Sequence, residues 1–330
     1  MNFQGKILES WFLDESKGKQ AQFPHGEDYG YKYCVMSDAL HTWVHPEVEK
    51  GAMIKDGGLL TGHASHHVRT LQQRCGELLE GSSVNLSLLE IYILLVAAHI
   101  HDVGNVLGRK GHEVSAQKIL ELIGNGIVGQ DKLVNQCAFQ IAQAHKGNVL
   151  HILPSEDHVL GHPVKVLFLA ALLKFADELA ENYQRANNLM AALGELPPES
   201  ELYHQYAQAV NTIKARPQSR DIIMMYNVDR LLMCKKFQKK DETITLLDEI
   251  HLRVLKTYAE RVYCMKYLRP YINIDTIKVT IRIEENKQVV EEKGYELEES
   301  SIVQNESLTT MTLLWPDVAL LTSELICPTP

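Results

Sequence analysis

From about residue 59 to 190, apolar residues recur at helical spacing with little of the strict alternation that marks strands, so this stretch predicts a helical bundle. Gly, Pro and Ser punctuation at "EGSSVN", "IGNGIVGQD" and "LPSEDHVLGHP" separates its helices. The texture changes after "GELPPES", residues 194–200. Beyond it "RDIIMMYNVD" and "LLMCKKF" read as strands, "TLLDEIHLRVLKTYAERVYCMKYL" as a long amphipathic helix, and "DTIKVTIRIEE" alternates as a strand does. The acidic "VVEEKGYELEESS" reads as a solvated face. Ahead of the bundle, "FPHGEDYGYKY" reads as loop and "SDALHTWVHPEVEKGAMI" as a short helical approach. The expected fold is mainly α, with an N-terminal extension over 1–58 packing on the bundle, the bundle over 59–193, and a smaller C-terminal α+β domain over 194–330.

One run breaks the logic of a core helix. "LLEIYILLVAAHI" is apolar almost throughout, yet it leads straight into His101 and Asp102. A carboxylate at a helix C-terminus faces the negative end of the dipole, and burying it unpaired costs several kcal/mol or forces protonation. A cation is expected nearby.

Ten of the fifteen histidines fall between residues 63 and 162, so the bundle faces decide which of them point inward. In "HHVRTLQQRCGELLE" the apolar stripe Leu71, Cys75, Leu78 steps back one turn onto His67, leaving His66 to the side. In "LVNQCAFQIAQAHKGN" the stripe Val134, Cys137/Ala138, Ile141 continues to His145. In "VKVLFLAALLKFADELAENYQR" the stripe Val166, Leu169/Ala170, Leu173 continues to Asp177. His112 opens the following helix, "HEVSAQKILELI".

A single histidine on an apolar face is ordinarily a hydrogen-bonded core residue, and a single buried Asp is ordinarily a cap or an ion-pair partner. Four imidazoles and two carboxylates converging in one bundle, with few Arg or Lys on the same stripes, are a different matter. A metal ion compensates the carboxylates and uses every one of these groups as a ligand.

Charge and cysteine usage narrow the function classes. The net charge of −9 over 330 residues argues against a basic face for duplex nucleic acid or an anionic membrane, while leaving room for a local cationic pocket. Six scattered cysteines without a C-x-x-C pair read as free thiols in a reducing compartment and disfavour a structural zinc site. The N-terminal "MNFQGKILESWF" lacks a signal-peptide pattern and no uninterrupted apolar run reads as long enough for a membrane span, so a soluble cytoplasmic protein is expected.

The ordered set His67, His101-Asp102, His112, His145 and Asp177 resembles the HD superfamily of metal-dependent phosphohydrolases. "GRKGHEVSA" is similar to that family's G-H-E segment, and "LLKFADELA" to its terminal L-x-x-x-A-D helix. The resemblance covers roughly residues 55–190. "HPEVEKGAMIKDGGLLTGHASHHVRTL" further resembles HD proteins of bacterial conflict systems, whose H-x-x-x-H-[IV] segment supports His67 as the first ligand.

The resemblance implies an HD-type helical bundle with two divalent transition metals, Mn, Fe, Co, Ni or Zn. His67, His101, Asp102 and Asp177 would hold one metal, and Asp102 would bridge to a second held by His112 and His145. It also implies hydrolysis of a nucleotide or cyclic (oligo)nucleotide phosphate ester through a metal-bridging hydroxide, on a small-molecule substrate and with a homo-oligomer left open. "HDVGN" departs from the family's H-D-[IV]-G-K, because Asn105 stands where a lysine often touches phosphate. Arg109, Lys110 and Lys146 are the candidates to replace it, with Arg69, Glu181 and Arg185 as further candidates to line the cleft. The H-H-E-x-x-D-G-x-G-Y-P signature of cyclic-di-GMP phosphodiesterases and the E-D pair of alarmone hydrolases are both missing. Two other functions share the fold, a di-iron oxygenase and a metal- or nucleotide-sensing module.

Overall fold

Every residue of the helix Leu88–Ile100 is buried, and the elements around it set the positions of the candidate ligands. The computed structural model describes residues 2–3, 5–51, 59, 61–62, 65–107, 116, 131–239, 242–298, 307–319 and 321–327. The chain falls into two compact units, one of residues 1–56, 63–180 and 264–272, the other of residues 57–62, 181–263 and 273–330. The boundary at 180/181 lies ahead of the break read from the sequence at 194–200.

In the first unit, α1 (Leu8–Glu15), α2 (Tyr29–Ala39) and α3 (His45–Gly51) precede α4 (Ser65–Leu79), α5 (Leu88–Ile100), α6 (Lys132–Gln143) and α7 (Val166–Glu178). A π-turn over Leu40–Val44 joins α2 to α3, and a hairpin of β1 (Asp157–Val159) and β2 (His162–Val164) leads into α7. Large aliphatic side chains account for much of α5, and each contributes about 1.5–3 kcal/mol by leaving water. By length and composition the stretch Leu88–Val106 would also span a bilayer, which corrects the expectation that no run is long enough; it is 94% buried inside the protein and serves as the central core helix.

Local chemistry fixes where α5 begins. Ser87 and Glu90 form a reciprocal cap, the Ser87 hydroxyl accepting from Glu90 N (3.2 Å) and the Glu90 carboxylate accepting from Ser87 N (2.8 Å). The other Glu90 oxygen accepts from Lys165 N at 2.9 Å, tying the start of α5 to the start of α7.

"FPHGEDYGYKY" is only partly loop, because Asp28 accepts from Tyr31 N and starts α2 at Tyr29. The aromatic residues that suggested irregular chain instead form one helical face. Tyr29 and Tyr33 pack edge-on against Tyr92 of α5, and Phe23 stacks on Tyr29. At Gly30 a Cβ would stand 2.7 Å from the Ser16 hydroxyl, which would have to turn away.

The second unit holds a four-stranded sheet of order β3-β4-β7-β8, from β3 (Val210–Arg216), β4 (Asp221–Asp229), β7 (Thr276–Glu285) and β8 (Gln288–Leu297). β4 and β7 run parallel, and their connection passes through the hairpin of β5 (Lys236–Lys239) and β6 (Glu242–Thr245) and then a long helix, Leu246–Leu268. The fold is thus mainly α with a small α+β part, as the sequence pattern predicts.

The acidic segment over 288–297 is the edge strand β8, paired along one side only, and its charged side chains make a solvated face as the sequence suggests. Two local expectations need correction. "LLMCKKF" is not one strand, since Arg230–Met233 forms a helical turn capped by Asp229. Cys234 and Cys327 form a disulfide, correcting the free-thiol reading at these two positions, while Cys34, Cys75, Cys137 and Cys264 are free.

Candidate metal centre

Two of the histidines lie at helix ends for a reason visible in the backbone. The last carbonyls of a helix have no partner within it. His101 caps α5 and donates from Nδ1 to the Ala98 carbonyl at 2.9 Å, and His145 follows α6 and donates from Nδ1 to the Ala142 carbonyl at 2.6 Å. Each bond fixes the proton on Nδ1, leaving the Nε2 lone pair for the site.

His67 enters from α4, two residues after its start, and is 2% exposed, whereas the neighbouring His66 and Arg69 face solvent. Asp177 enters from the last turn of α7. Arg74 holds these two helices in register, donating from Nε to the Leu179 carbonyl (3.0 Å) and pairing with both Glu77 oxygens (2.7 Å).

The ligand-type atoms meet at short range. His67 Nε2 lies 3.3 Å from His101 Nε2 and 3.0 Å from Asp177 Oδ1. His101 Nε2 lies 3.6 Å from the same Asp177 oxygen and 3.5 Å from Asp102 Oδ2, which is 3.9 Å from His67 Nε2. Ligands about 2.0–2.1 Å from a shared metal stand about 2.9 Å apart as octahedral neighbours and about 3.3 Å apart in a tetrahedron. The His67–Asp177 and His67–His101 separations match these values, and His67, His101 and Asp102 offer a group of ligand atoms close enough to hold one ion. The other Asp102 oxygen, Oδ1, lies 3.8 Å from His145 Nε2. Asp177 is the most open of the five, its side chain 26% exposed against 10% or less for the others.

The electrostatics call for a cation. Burial would lower the His101 pKa, but the carboxylates of Asp102 and Asp177 outweigh it and raise it to about 9. Burial would raise Asp177, yet hydrogen bonds from His101 and His67 hold it well below the carboxylate range. Burial and neighbouring His101 lower His145. Imidazole nitrogen with carboxylate oxygen is a donor set suited to Mn, Fe, Co, Ni or Zn, so these residues fit a divalent transition metal.

His112, Arg109 and Lys110 lie outside the described residues. Lys146 is exposed on the turn after His145. Arg185 pairs with Glu181 (2.6 Å) and donates to the Gly62 carbonyl (3.0 Å), contacts made within the second unit. Asn105 is buried, and neither of its side-chain polar atoms has a hydrogen-bond partner among the described residues. Sequence reasoning missed Lys174, a buried lysine whose Nζ donates to the His145 carbonyl at 3.0 Å. A lysine inside the apolar run "LAALLKF" of α7, residues 169–175, is the signal that could have found it, since a buried ammonium must have acceptors.

A family model described as HD-CE matches residues 57–249, more than half of the chain. No curated protein and no solved structure matches it. The matched segment contains the helices that bring His67, His101, Asp102, His145 and Asp177 together, and the chain belongs to the HD-CE family, an HD-like family.

Proposed function

We propose that the protein is an HD-type metal-dependent phosphohydrolase that cleaves a phosphate ester of a nucleotide or cyclic (oligo)nucleotide. One observation carries the reading. Asp102 turns Oδ2 towards His67 and His101 and Oδ1 towards His145, so a single carboxylate faces two sets of imidazole nitrogens. A carboxylate placed in this way would serve a dinuclear centre, with His112 as the expected further ligand of the second metal. Two bound divalent metals supply Lewis acidity, making water a nucleophile near neutral pH and stabilising charge on phosphoryl oxygens.

The chain's own contribution is positional. The bonds from His101 and His145 to their helix carbonyls keep Nδ1 as the donor and aim each Nε2 into the site, and Lys174 anchors the backbone that carries His145. Buried His67 and His101 close one side against bulk water, and the more exposed Asp177 marks the side open to a small-molecule substrate. Lys146, together with Arg109 and Lys110, supplies the positive charge that Asn105 does not.

The test is a panel of nucleotides and cyclic nucleotides incubated with the metal-stripped, full-length protein resupplied with Mn(II), Co(II) or Ni(II). Phosphate release or a linearised product supports the reading. Nucleotide binding without turnover under every metal would instead identify a sensing module.

A further inference from the structure

A second group of histidines, on the opposite side of the end of α5, plays no part in the centre described above. His99 lies two residues before His101, and positions two apart on a helix point roughly 200° apart. His41 and His45 face it from the π-turn and the start of α3. The three rings are mutual neighbours, with centroids 4.9, 5.2 and 5.6 Å apart, and one ligating nitrogen from each lies within 4.8 Å of one from each of the others.

Hydrogen-bond partners fix where the lone pairs are. Tyr33 donates its hydroxyl proton to Glu9 (2.7 Å), so its oxygen accepts from His99 Nε2 at 2.9 Å, the shortest contact of that nitrogen, with Gln72 Nε2 at 3.3 Å and Ser37 Oγ at 3.5 Å. The His99 lone pair therefore sits on Nδ1, which is buried and has no hydrogen-bond partner among the described residues. His45 donates from Nε2 to the His99 carbonyl at 3.2 Å, which leaves its own lone pair on Nδ1. That Nδ1 stands 3.3 Å from His41 Nδ1, the separation expected for two nitrogens about 2.0–2.1 Å from one tetrahedral ion. The Ser65 hydroxyl, 2.7 Å from His41 Nδ1 and 3.4 Å from His45 Nδ1, adds a fourth polar atom at the same point.

His45 and His99 are thus oriented by a hydrogen bond on the far nitrogen, the arrangement that supports metal-ligating histidines, while Ser65 sits on the His41 nitrogen that faces the site. The spacing H-x-x-x-H in "HTWVH" puts two ligands on one helical face, and π-turns inside helices recur at functional sites. We infer that His41, His45 and His99 form a second metal site, separate from the HD centre, which takes one borderline divalent ion such as Zn(II). The ion would join the α2–α3 segment to the end of α5 and so fix the backbone from which His101 and Asp102 project.

Cobalt reports both occupancy and geometry. The full-length variant His67→Ala/Asp177→Ala, stripped with chelator, should still bind Co(II) with the visible absorption of a tetrahedral ion, and adding His41→Ala should lower its cobalt content by one equivalent per chain. Should the double variant fail to fold, the loss is read in the otherwise unchanged chain, where His41→Ala must lower the zinc content by one equivalent while circular dichroism stays the same. Folded His67→Ala/Asp177→Ala protein that binds no cobalt would overturn the inference, as would undiminished binding after His41→Ala. Failure of the phosphohydrolase reading would appear in the HD ligands and leave this result untouched.

Discussion

Lys174 Nζ lies 3.0 Å from the carbonyl oxygen of His145, joining the middle of α7 to the residue that ends α6. A buried ammonium here satisfies a helix-end carbonyl and fixes the residue whose other end faces Asp102. Lys174→Met keeps the apolar stem and removes the anchor. The expected result is roughly 10- to 100-fold weaker binding of one metal, with helical circular dichroism retained. Metal titration by calorimetry checks it, and unchanged affinity at both sites would mean that Lys174 serves packing alone.

His66 and His67 differ in direction by about 100° on α4. His67 is 2% exposed and touches both His101 and Asp177, while His66 is exposed. His67→Ala is expected to lose metal and His66→Ala to keep it. Elemental analysis of the two purified variants decides, and the reverse pattern would contradict the ligand set.

Glu90 is 1% exposed and accepts from the Ser87 and Lys165 backbones at 2.8 and 2.9 Å. Glu90→Ala removes a buried acceptor from two N–H groups and uncaps α5, at an expected cost of about 2–4 kcal/mol. The melting temperature of the first unit should fall clearly, and less for Glu90→Gln. An unchanged melt for Glu90→Ala would show that water replaces the carboxylate without loss.

Asp221 opens β4 and is gripped by Arg216 at 2.7 and 2.6 Å, with Lys278 at 3.4 Å. Burial would raise its pKa, but the Arg216 bonds and then Lys278 bring it below the usual range. A carboxyl depressed by folding adds stability that is present above its unfolded value of about 4 and is lost as pH falls through the folded value. The stability gap between wild type and Asp221→Asn should therefore be full at neutral pH and shrink in acid. Urea melts across pH test this, and a gap independent of pH would contradict it.

Much of this was legible in the residue pattern. Stripe continuity put His67, His145 and Asp177 on inward faces because a helix repeats its direction every turn, and it separated His67 from His66 without a structure. Lys174 was hidden because its role depends on a carbonyl brought close only when α6 and α7 pack. His41 and His45 were hidden by a different effect: they lie on the helical approach ahead of the bundle, and only packing against the end of α5 brings them to His99. The strand β8 carries its charges outward as an edge and so lacks the alternation that exposed β7. The disulfide joins positions 93 residues apart, and no spacing rule reaches that far.

The central claim is that Asp102 serves two Lewis-acidic metals in hydrolysis of a nucleotide phosphate ester. The most direct measurement is product formation from the nucleotide panel with Mn(II) in an oxygen-free chamber, run on wild type and on folded Asp102→Ala. The account predicts turnover in the wild type without oxygen and its loss, with helical circular dichroism intact, in the variant. No anaerobic turnover, together with oxygen consumption by the iron-loaded wild type, would contradict it and identify a di-iron oxygenase.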